Sequence, residues 1–165
     1  MTDNGPKYVS FVDQELKAER ERRTTLDGRG QAIVTTSGAL VALLSAVGVI
    51  VSHRSSFVLP QAARYPLVAA LVLFVIAAFL GILATMNFKY DVVSRDSLAQ
   101  MVRRHWPDTD DVAAKNIATA NVNTTVTMRR GNNKKAVLLL VALFAQLGAL
   151  LSLSVAVFLL VTSKQ

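Results

Sequence analysis

The chain has 165 residues, 52% of them hydrophobic, and its 18 lysines and arginines outnumber its 11 aspartates and glutamates. It contains no cysteine, which excludes disulfides, zinc–thiolate sites and thiol catalysis. Basic residues that flank membrane spans explain the net charge of +7, so we expect no nucleic-acid partner.

The first 31 residues are predicted to form a cytoplasmic amphipathic helix that ends in a joint. Glu19 and Arg23 lie on one face of this helix and can pair with another helix. The segment is then the wall of a small cytoplasmic bundle or an oligomer seam; the alternative is a solvated segment that leads into the membrane. Gly28 and Gly30 lower the helix propensity, which predicts a bend or flexible joint. The helix face that carries Glu19 and Arg23 has three-four spacing and consists of Val9, Val12, Leu16, Glu19, Arg23 and Leu26.

Three stretches of the chain contain no Asp, Glu, Lys or Arg. They are 24, 24 and 28 residues long and cover residues 30–53, 65–88 and 136–163. At about 1.5 Å of rise per residue, each helix would exceed the roughly 30 Å hydrocarbon thickness of a bilayer. The sequence therefore predicts an all-α integral membrane protein with three transmembrane helices and a small cytoplasmic helical bundle. The predicted spans are residues 32–52, 66–86 and 136–162.

Polar and small residues within the spans predict how the helices pack. Small residues at four-residue spacing let backbones approach closely. Gln146 cannot satisfy its amide on its own helix, so we expect it to bond to another helix. The predicted packing stripes are Gly38, Ala42 and Ala46, then Ala77, Gly81 and Thr85, then Gly148, Ser152 and Ala156.

The two connecting segments differ in length. Residues 53–65 form a short external loop, and Pro66 then suits the first turn of the second span. Residues 87–135 form a cytoplasmic helical segment with one helix over residues 91–106 that Pro107 ends. A second helix follows an acidic N-terminal turn at residues 108–111, and a kink is expected at Gly131.

Positive charge predicts the orientation of the chain. Residues 1–29 carry six lysines or arginines and residues 89–135 carry nine, against two in residues 54–64 and one after the third span. By the positive-inside rule, the N-terminus and the long second loop are cytoplasmic. The expected location is the inner (plasma) membrane, with several crossings.

The sequence favours a protein that is not an enzyme. The predicted topology separates His53 and His105 by the membrane, and no nucleophile triad, metal-ligand spacing or phosphate-binding loop is present. Neither a metal nor another cofactor is expected. Charged groups within the spans, which ion-coupled transport would require, are absent from the sequence of all three stretches.

Three short motifs accompany the predicted spans: residues 15–20 (Glu-Leu-Lys-Ala-Glu-Arg), Leu26-Asp27-x-Arg29-x-x-Ala32 and Arg130-x-Asn132-x-Lys134-Lys135-Ala136. With the order of the helices, they resemble the transmembrane effectors of pyrimidine-cyclase (Pycsar) anti-phage systems and related small effectors of nucleotide-signalled bacterial immunity. The resemblance implies that infection triggers a separate cyclase to make a cyclic nucleotide, and that the membrane effector then disrupts the inner membrane. Unlike the larger members, this chain has no separate nucleotide-sensing domain, so a ligand would bind the cytoplasmic bundle or a partner protein.

The expected partners are the lipid bilayer, a cyclic nucleotide and further copies of the chain. Arginine forks bind phosphate, and Trp106 can either stack on a base or plug a small core. The alternative function is that of a non-catalytic accessory or scaffold subunit that holds a partner through its cytoplasmic helices. The candidate ligand-binding residues are Arg20, Arg22, Arg23, Arg103, Arg104, Arg129 and Arg130.

Overall fold

The computed structural model describes residues 5–52, 60–86, 88, 90–105 and 107–162. This part of the chain is built from helices and confirms the all-α prediction. The helices are α1 (Gly5–Ser52), α2 (Gln61–Thr85), α3 (Arg95–Arg103) and α4 (Asp110–Thr162). Among the described residues, two helices, α2 and α4, are long and apolar enough to cross a membrane by length and composition, and α1 is not one of them.

Several boundaries differ from the predicted ones. The predicted joint at Gly28 and Gly30 is wrong in its local structure, because α1 continues through both residues without a break. The last five residues of the predicted 53–65 loop are helical, since α2 begins at Gln61, and residues 53–59 lie outside the described part. Pro66 therefore lies inside α2 rather than in its first turn.

The helices of the second cytoplasmic segment follow the predicted order. Helix α3 is shorter than the predicted residues 91–106, and the Ser94 hydroxyl caps it by accepting a 3.0 Å hydrogen bond from the backbone N–H of Ser97. Helix α4 begins with Asp110 and Asp111 in its first turn, which confirms the acidic start. It also continues through Gly131, the site of the predicted kink.

The chain divides into two compact units. Unit 1 consists of residues 1–25 and 87–134, and unit 2 consists of residues 26–86 and 135–165. Unit 1 thus contains residues of both segments that the sequence predicts to be cytoplasmic. Unit 2 contains the three charge-free stretches except for residues 87 and 88 at the end of the second.

In unit 1, α1 and α4 run side by side in the same direction. Asn121 Nδ2 donates to Asp13 Oδ1 over 2.8 Å, and further along both helices Asn132 Nδ2 donates to the backbone oxygen of Glu19 over 2.9 Å. Leu16 of α1 and Met128 of α4 are buried. Along a polar run of α4, threonine hydroxyls satisfy themselves on their own helix by donating to carbonyls one turn earlier, at Thr119, Thr124, Thr125 and Thr127.

In unit 2, small residues form the core between helices. A Cβ atom added to Gly30 of α1 would lie 3.1 Å from the backbone oxygen of Gly81 on α2, and one added to Gly81 would lie 3.1 Å from the oxygen of Gly30. The two backbones are therefore in contact, as small-residue packing allows. The buried residues of α2 follow a seven-residue pattern at Ala63, Ala70, Phe74, Ala77, Gly81 and Ala84.

The predicted packing stripes meet different outcomes. The stripe on α2 is confirmed at Ala77 and Gly81, and the stripe on α4 is confirmed at Ala156, which is fully buried. The stripe on α1 is wrong within this chain, because Gly38 faces open space and Ala42 is exposed. Helix α1 instead buries Leu26, Gly30, Ile33 and Ser37. The reason is that α1 contacts α2 through Gly30, which turns a different face of the helix toward its neighbours.

The expected interhelical bond of Gln146 is confirmed. Its Nε2 atom donates to Thr36 Oγ1 over 2.9 Å, and the Thr36 hydroxyl in turn donates to the carbonyl of Ala32 over 2.9 Å. This short chain of hydrogen bonds joins α4 to α1 inside unit 2, where an unpaired amide would be costly in apolar surroundings.

Candidate functional site

Arg129 of α4 lies at the centre of an ionic cluster in unit 1. Its Nε atom donates to Glu19 Oε1 over 2.8 Å, and its Nη2 atom donates to Glu15 Oε2 over 2.6 Å. Both carboxylates belong to α1 and lie one helical turn apart, so one planar guanidinium bridges two turns of the neighbouring helix. The side chains of Arg129 and Glu15 are 51% and 41% exposed, whereas that of Glu19 is 7% exposed. The cluster is therefore closed around Glu19 and open to solvent at Glu15.

Glu19 gathers further partners around the same carboxylate. Asn132, which is 2% exposed, donates its Nδ2 atom to Glu19 Oε2 over 2.9 Å. Arg22 Nη1 lies 3.7 Å from the same oxygen, and Arg22 Nη2 donates to Asn133 Oδ1 over 3.0 Å. We call Glu15, Glu19, Arg22, Arg129 and Asn132 the Arg129 cluster.

The surroundings shift two pKa values in this cluster. Burial raises the pKa of the Glu19 carboxyl, but hydrogen bonds from Arg129 and Asn132 and the positive charges of Arg129 and Arg22 outweigh it and leave this pKa below its usual range. The pKa of the Arg129 guanidinium is raised because Glu19, and then Glu15, accept its hydrogen bonds. Both groups are charged at neutral pH.

The lowered pKa of Glu19 predicts a loss of stability in acid. The contribution of a carboxyl whose pKa is lowered by folding is complete above its unfolded pKa, about 4.3 for glutamate, and disappears as the pH falls through the folded value. At pH values below about 4, the unfolding temperature of the detergent-solubilised protein should therefore decrease. Circular dichroism measures this temperature. Glu19→Gln should remove this part of the acid dependence.

Glu21→Gln is the matched control for this measurement, because Glu21 lies on the same helix and is exposed. It should leave the acid dependence of the unfolding temperature as it is in the unsubstituted chain. Equal loss of acid dependence in the two variants would contradict the role assigned to Glu19.

Arg23 binds an aromatic side chain. Its guanidinium carbon lies 4.8 Å from the centroid of the Tyr90 ring, and its Nη1 atom donates to the Tyr90 hydroxyl. A cation over an aromatic face is attracted by the negative ring face. Arg23 thereby fixes the segment that follows α2 against α1 within unit 1.

The structure brings together part of the predicted arginine set. Arg22 and Arg129 meet at Glu19, whereas Arg23 is engaged by Tyr90. Trp106 and His53 lie outside the described part of the chain, and within that part no group of three His, Asp or Glu side chains is placed to hold a metal ion. The remaining candidates are exposed: Arg20, Arg103, Arg104 and Arg130.

Unit 2 contains a buried ion pair that the sequence interpretation missed. Lys135 is 2% exposed, and its Nζ atom donates to Oδ1 of Asp27, whose side chain is 34% exposed. The pair joins α1 to α4 beside the buried Leu26 and Leu139. A signal for it exists in the spacing, because Lys135 lies four residues before Leu139 on the buried face of α4.

Comparisons with known proteins assign no function to this chain. No known protein family matches this chain, and no characterised protein or solved structure matches it.

Proposed function

We propose that this chain is a small effector of the bacterial inner membrane that acts in nucleotide-signalled antiviral defence and perturbs the membrane when triggered. The observation that carries the proposal is the Arg129 cluster, in which a solvent-accessible carboxylate, Glu15, occupies one arm of a guanidinium. Phosphate binds the same fork as a carboxylate does. The resemblance to transmembrane effectors implies that this anion is a cyclic nucleotide made by a separate cyclase.

The membrane placement extends from α2 and α4 to α1. Its residues 30–52 contain no charged side chain, and the hydroxyl groups of Thr35 and Ser45 donate to carbonyls one turn earlier. The buried Ser37 hydroxyl has no hydrogen-bond partner among the described residues. Leu43 and Val49 are 60% and 58% exposed, as lipid-facing residues would be. With three spans, the charge distribution puts the N-terminus in the cytoplasm. We further propose that several copies assemble through such apolar faces.

A trigger can act through competition at Arg129. An anion that displaces Glu15 removes one of the two bonds that tie Arg129 to α1, while Glu19 keeps the other. Helices α1 and α4 each contribute residues to both units. A change in their pairing in unit 1 therefore acts on the same helices that build unit 2. Such a ligand shifts the protein only as far as it binds the two states differently.

The expected result of co-expression with an active nucleotide cyclase is depolarisation of the membrane, measured with a potential-sensitive dye. Arg129→Gln should abolish most of this response, because glutamine lacks the charge and the fork that hold a phosphate. Lys115→Gln, which removes an exposed positive charge from the same helix, should leave the response unchanged.

Two controls make the comparison specific. A cytoplasm-active reporter fused to the N-terminus should work in both variants, which shows equal insertion, and an inactive cyclase should give no depolarisation. Depolarisation that persists in Arg129→Gln, or that no cyclic nucleotide elicits, would contradict the effector function.

The second candidate function is that of an accessory or scaffold subunit. It is favoured by two apolar side chains on α1 in unit 1, Tyr8 and Phe11, which are 69% and 61% exposed and lie three residues apart on one helical face. Exposed aromatic side chains are common anchors of protein interfaces. In this case the partner would bind at Tyr8 and Phe11, and Arg129 substitutions would have no effect on function.

A further inference from the structure

Unit 2 has a cavity of about 540 Å³ between α1 and α4. Its walls are mainly apolar and include Ile33 of α1 and Leu139, Leu140 and Leu143 of α4. Leu140 and Leu143 are exposed, so the cavity is reachable from the outside of the unit. An apolar cavity on a face that contacts lipid is a place where an acyl chain can lie.

One end of this cavity is basic. Arg29 lines it, is exposed and, within the described part of the chain, has no hydrogen-bond or ion-pair partner. The nearest acidic side chain in the sequence, Asp27, is bound to Lys135 and so has its own counter-charge. The Arg29 guanidinium therefore offers five N–H donors to a ligand at this end.

The far end of the cavity is polar but uncharged. Thr36 and Gln146 line it, and the Gln146 amide donates to the Thr36 hydroxyl over 2.9 Å. Arg29 and Thr36 are seven residues apart on α1, which corresponds to about 10 Å along one helical face. The cavity thus passes from a cation, through apolar walls, to an uncharged hydrogen-bonded pair.

We propose that this cavity binds an anionic phospholipid. Arg29 holds the phosphate of the head group, as basic pockets between spans do on the cytoplasmic side, and the upper part of one acyl chain lies against Leu139, Leu140 and Leu143. A soluble phosphate would use the basic end alone and gain nothing from the apolar walls. The combination of a basic end and apolar walls therefore favours a lipid over a free anion.

This proposal rests on the membrane placement in the proposed function but is independent of the nucleotide trigger. If the lipid binds, its phosphate lies at Arg29, where the charge-free stretch of α1 begins, two residues after Asp27 of the Asp27–Lys135 pair. The lipid would then contribute to the packing of α1 on α4 in unit 2, because it contacts both helices along the cavity.

The test is lipid retention by the purified full chain. Native mass spectrometry from detergent, after incubation with phosphatidylglycerol or phosphatidylcholine, should show about fivefold tighter retention of phosphatidylglycerol, the effect of one basic side chain on an anionic lipid. Arg29→Gln should reduce this preference to about that of phosphatidylcholine. Arg64→Gln removes another exposed arginine of unit 2 and should keep the preference. Ala32→Phe, which fills the cavity without changing its charge, should weaken retention of both lipids.

Three results would overturn the proposal. Equal losses in Arg29→Gln and Arg64→Gln would show a general attraction of basic side chains for anionic lipid. Displacement of phosphatidylglycerol by millimolar inorganic phosphate would show a site for phosphate alone. Unchanged retention in Ala32→Phe would show that the cavity holds no acyl chain. Recovery of the chain in the soluble fraction would instead contradict the membrane placement and the proposed function, whereas a failed cyclase experiment leaves the lipid measurement valid.

Discussion

Replacing Asp27 with leucine is expected to destabilise the protein by about 3 kcal/mol, because it leaves the ammonium group of Lys135 buried without a counter-charge. The effect should appear as a lower midpoint in unfolding by sodium dodecyl sulfate. Lys135→Met should cost less, since Asp27 is about one-third exposed and remains in contact with water. The order of the two single variants is thus part of the prediction.

The double variant Asp27→Leu with Lys135→Met provides the sharper comparison. It replaces the pair with apolar side chains of similar size, and such replacements of buried pairs are often neutral or stabilising. Its midpoint should therefore lie well above that of Asp27→Leu. Lys134→Met is the control, because Lys134 is the exposed neighbour of Lys135 and should tolerate the change. If the double variant is as unstable as Asp27→Leu, the unpaired ammonium group of Lys135 is not the cause of the destabilisation.

The sequence predicts the helical class and one helix face well, because both depend on periodic patterns. The three-four spacing of the N-terminal segment correctly indicates that Leu16 and Glu19 are buried, and Glu19 does pair with another helix. Gln146 is predictable for a related reason, since a lone amide in an apolar stretch needs a partner. In each case a local rule and the tertiary structure agree.

The rules that identify Glu19 and Gln146 miss the Asp27–Lys135 pair unless the buried face of α4 is already known. Charges that flank an apolar stretch have an adequate explanation in the membrane surface, and Lys134 and Lys135 look alike in the sequence. Their burial differs because α4 turns by about 100° per residue, which places one of two adjacent lysines in the core and the other outside. Spacing back from the buried Leu139 and Ala142 would have selected Lys135 and Asn132.

The glycines before the first apolar stretch show a different limit. Propensity predicts a joint because glycine weakens an isolated helix by about 1 kcal/mol. In unit 2, Gly30 is instead the point where the backbones of α1 and α2 touch, whereas Gly28 has open space where a Cβ atom would be. Propensity cannot distinguish these two glycines, since the difference lies on another helix.

Gly30→Leu should therefore destabilise the protein strongly, while Gly28→Leu should be neutral or slightly stabilising. A Cβ atom on residue 30 would lie 2.8 Å from Thr85 Cγ2 and 3.1 Å from the backbone oxygen of Gly81, so α1 and α2 would have to separate. Overpacking of this kind costs about 1 to 3 kcal/mol, occasionally more, and a full leucine side chain should reach the upper part of that range. At residue 28 the gain in helix propensity, about 0.5 to 1 kcal/mol, meets no opposing contact.

The two leucine variants have the same composition and their substitutions lie only two residues apart. Their comparison therefore isolates the contact between Gly30 and Gly81. Midpoints of unfolding in sodium dodecyl sulfate should differ by about 3 kcal/mol once converted to free energy, with Gly28→Leu at or above the unsubstituted chain. Gly81→Leu provides the reciprocal test, because a Cβ atom there would lie 2.9 Å from Val34 Cγ2 and 3.1 Å from the oxygen of Gly30. If Gly28→Leu and Gly30→Leu lower the midpoint equally, α1 does not approach α2 at Gly30, and the loss must come from flexibility that both glycines share.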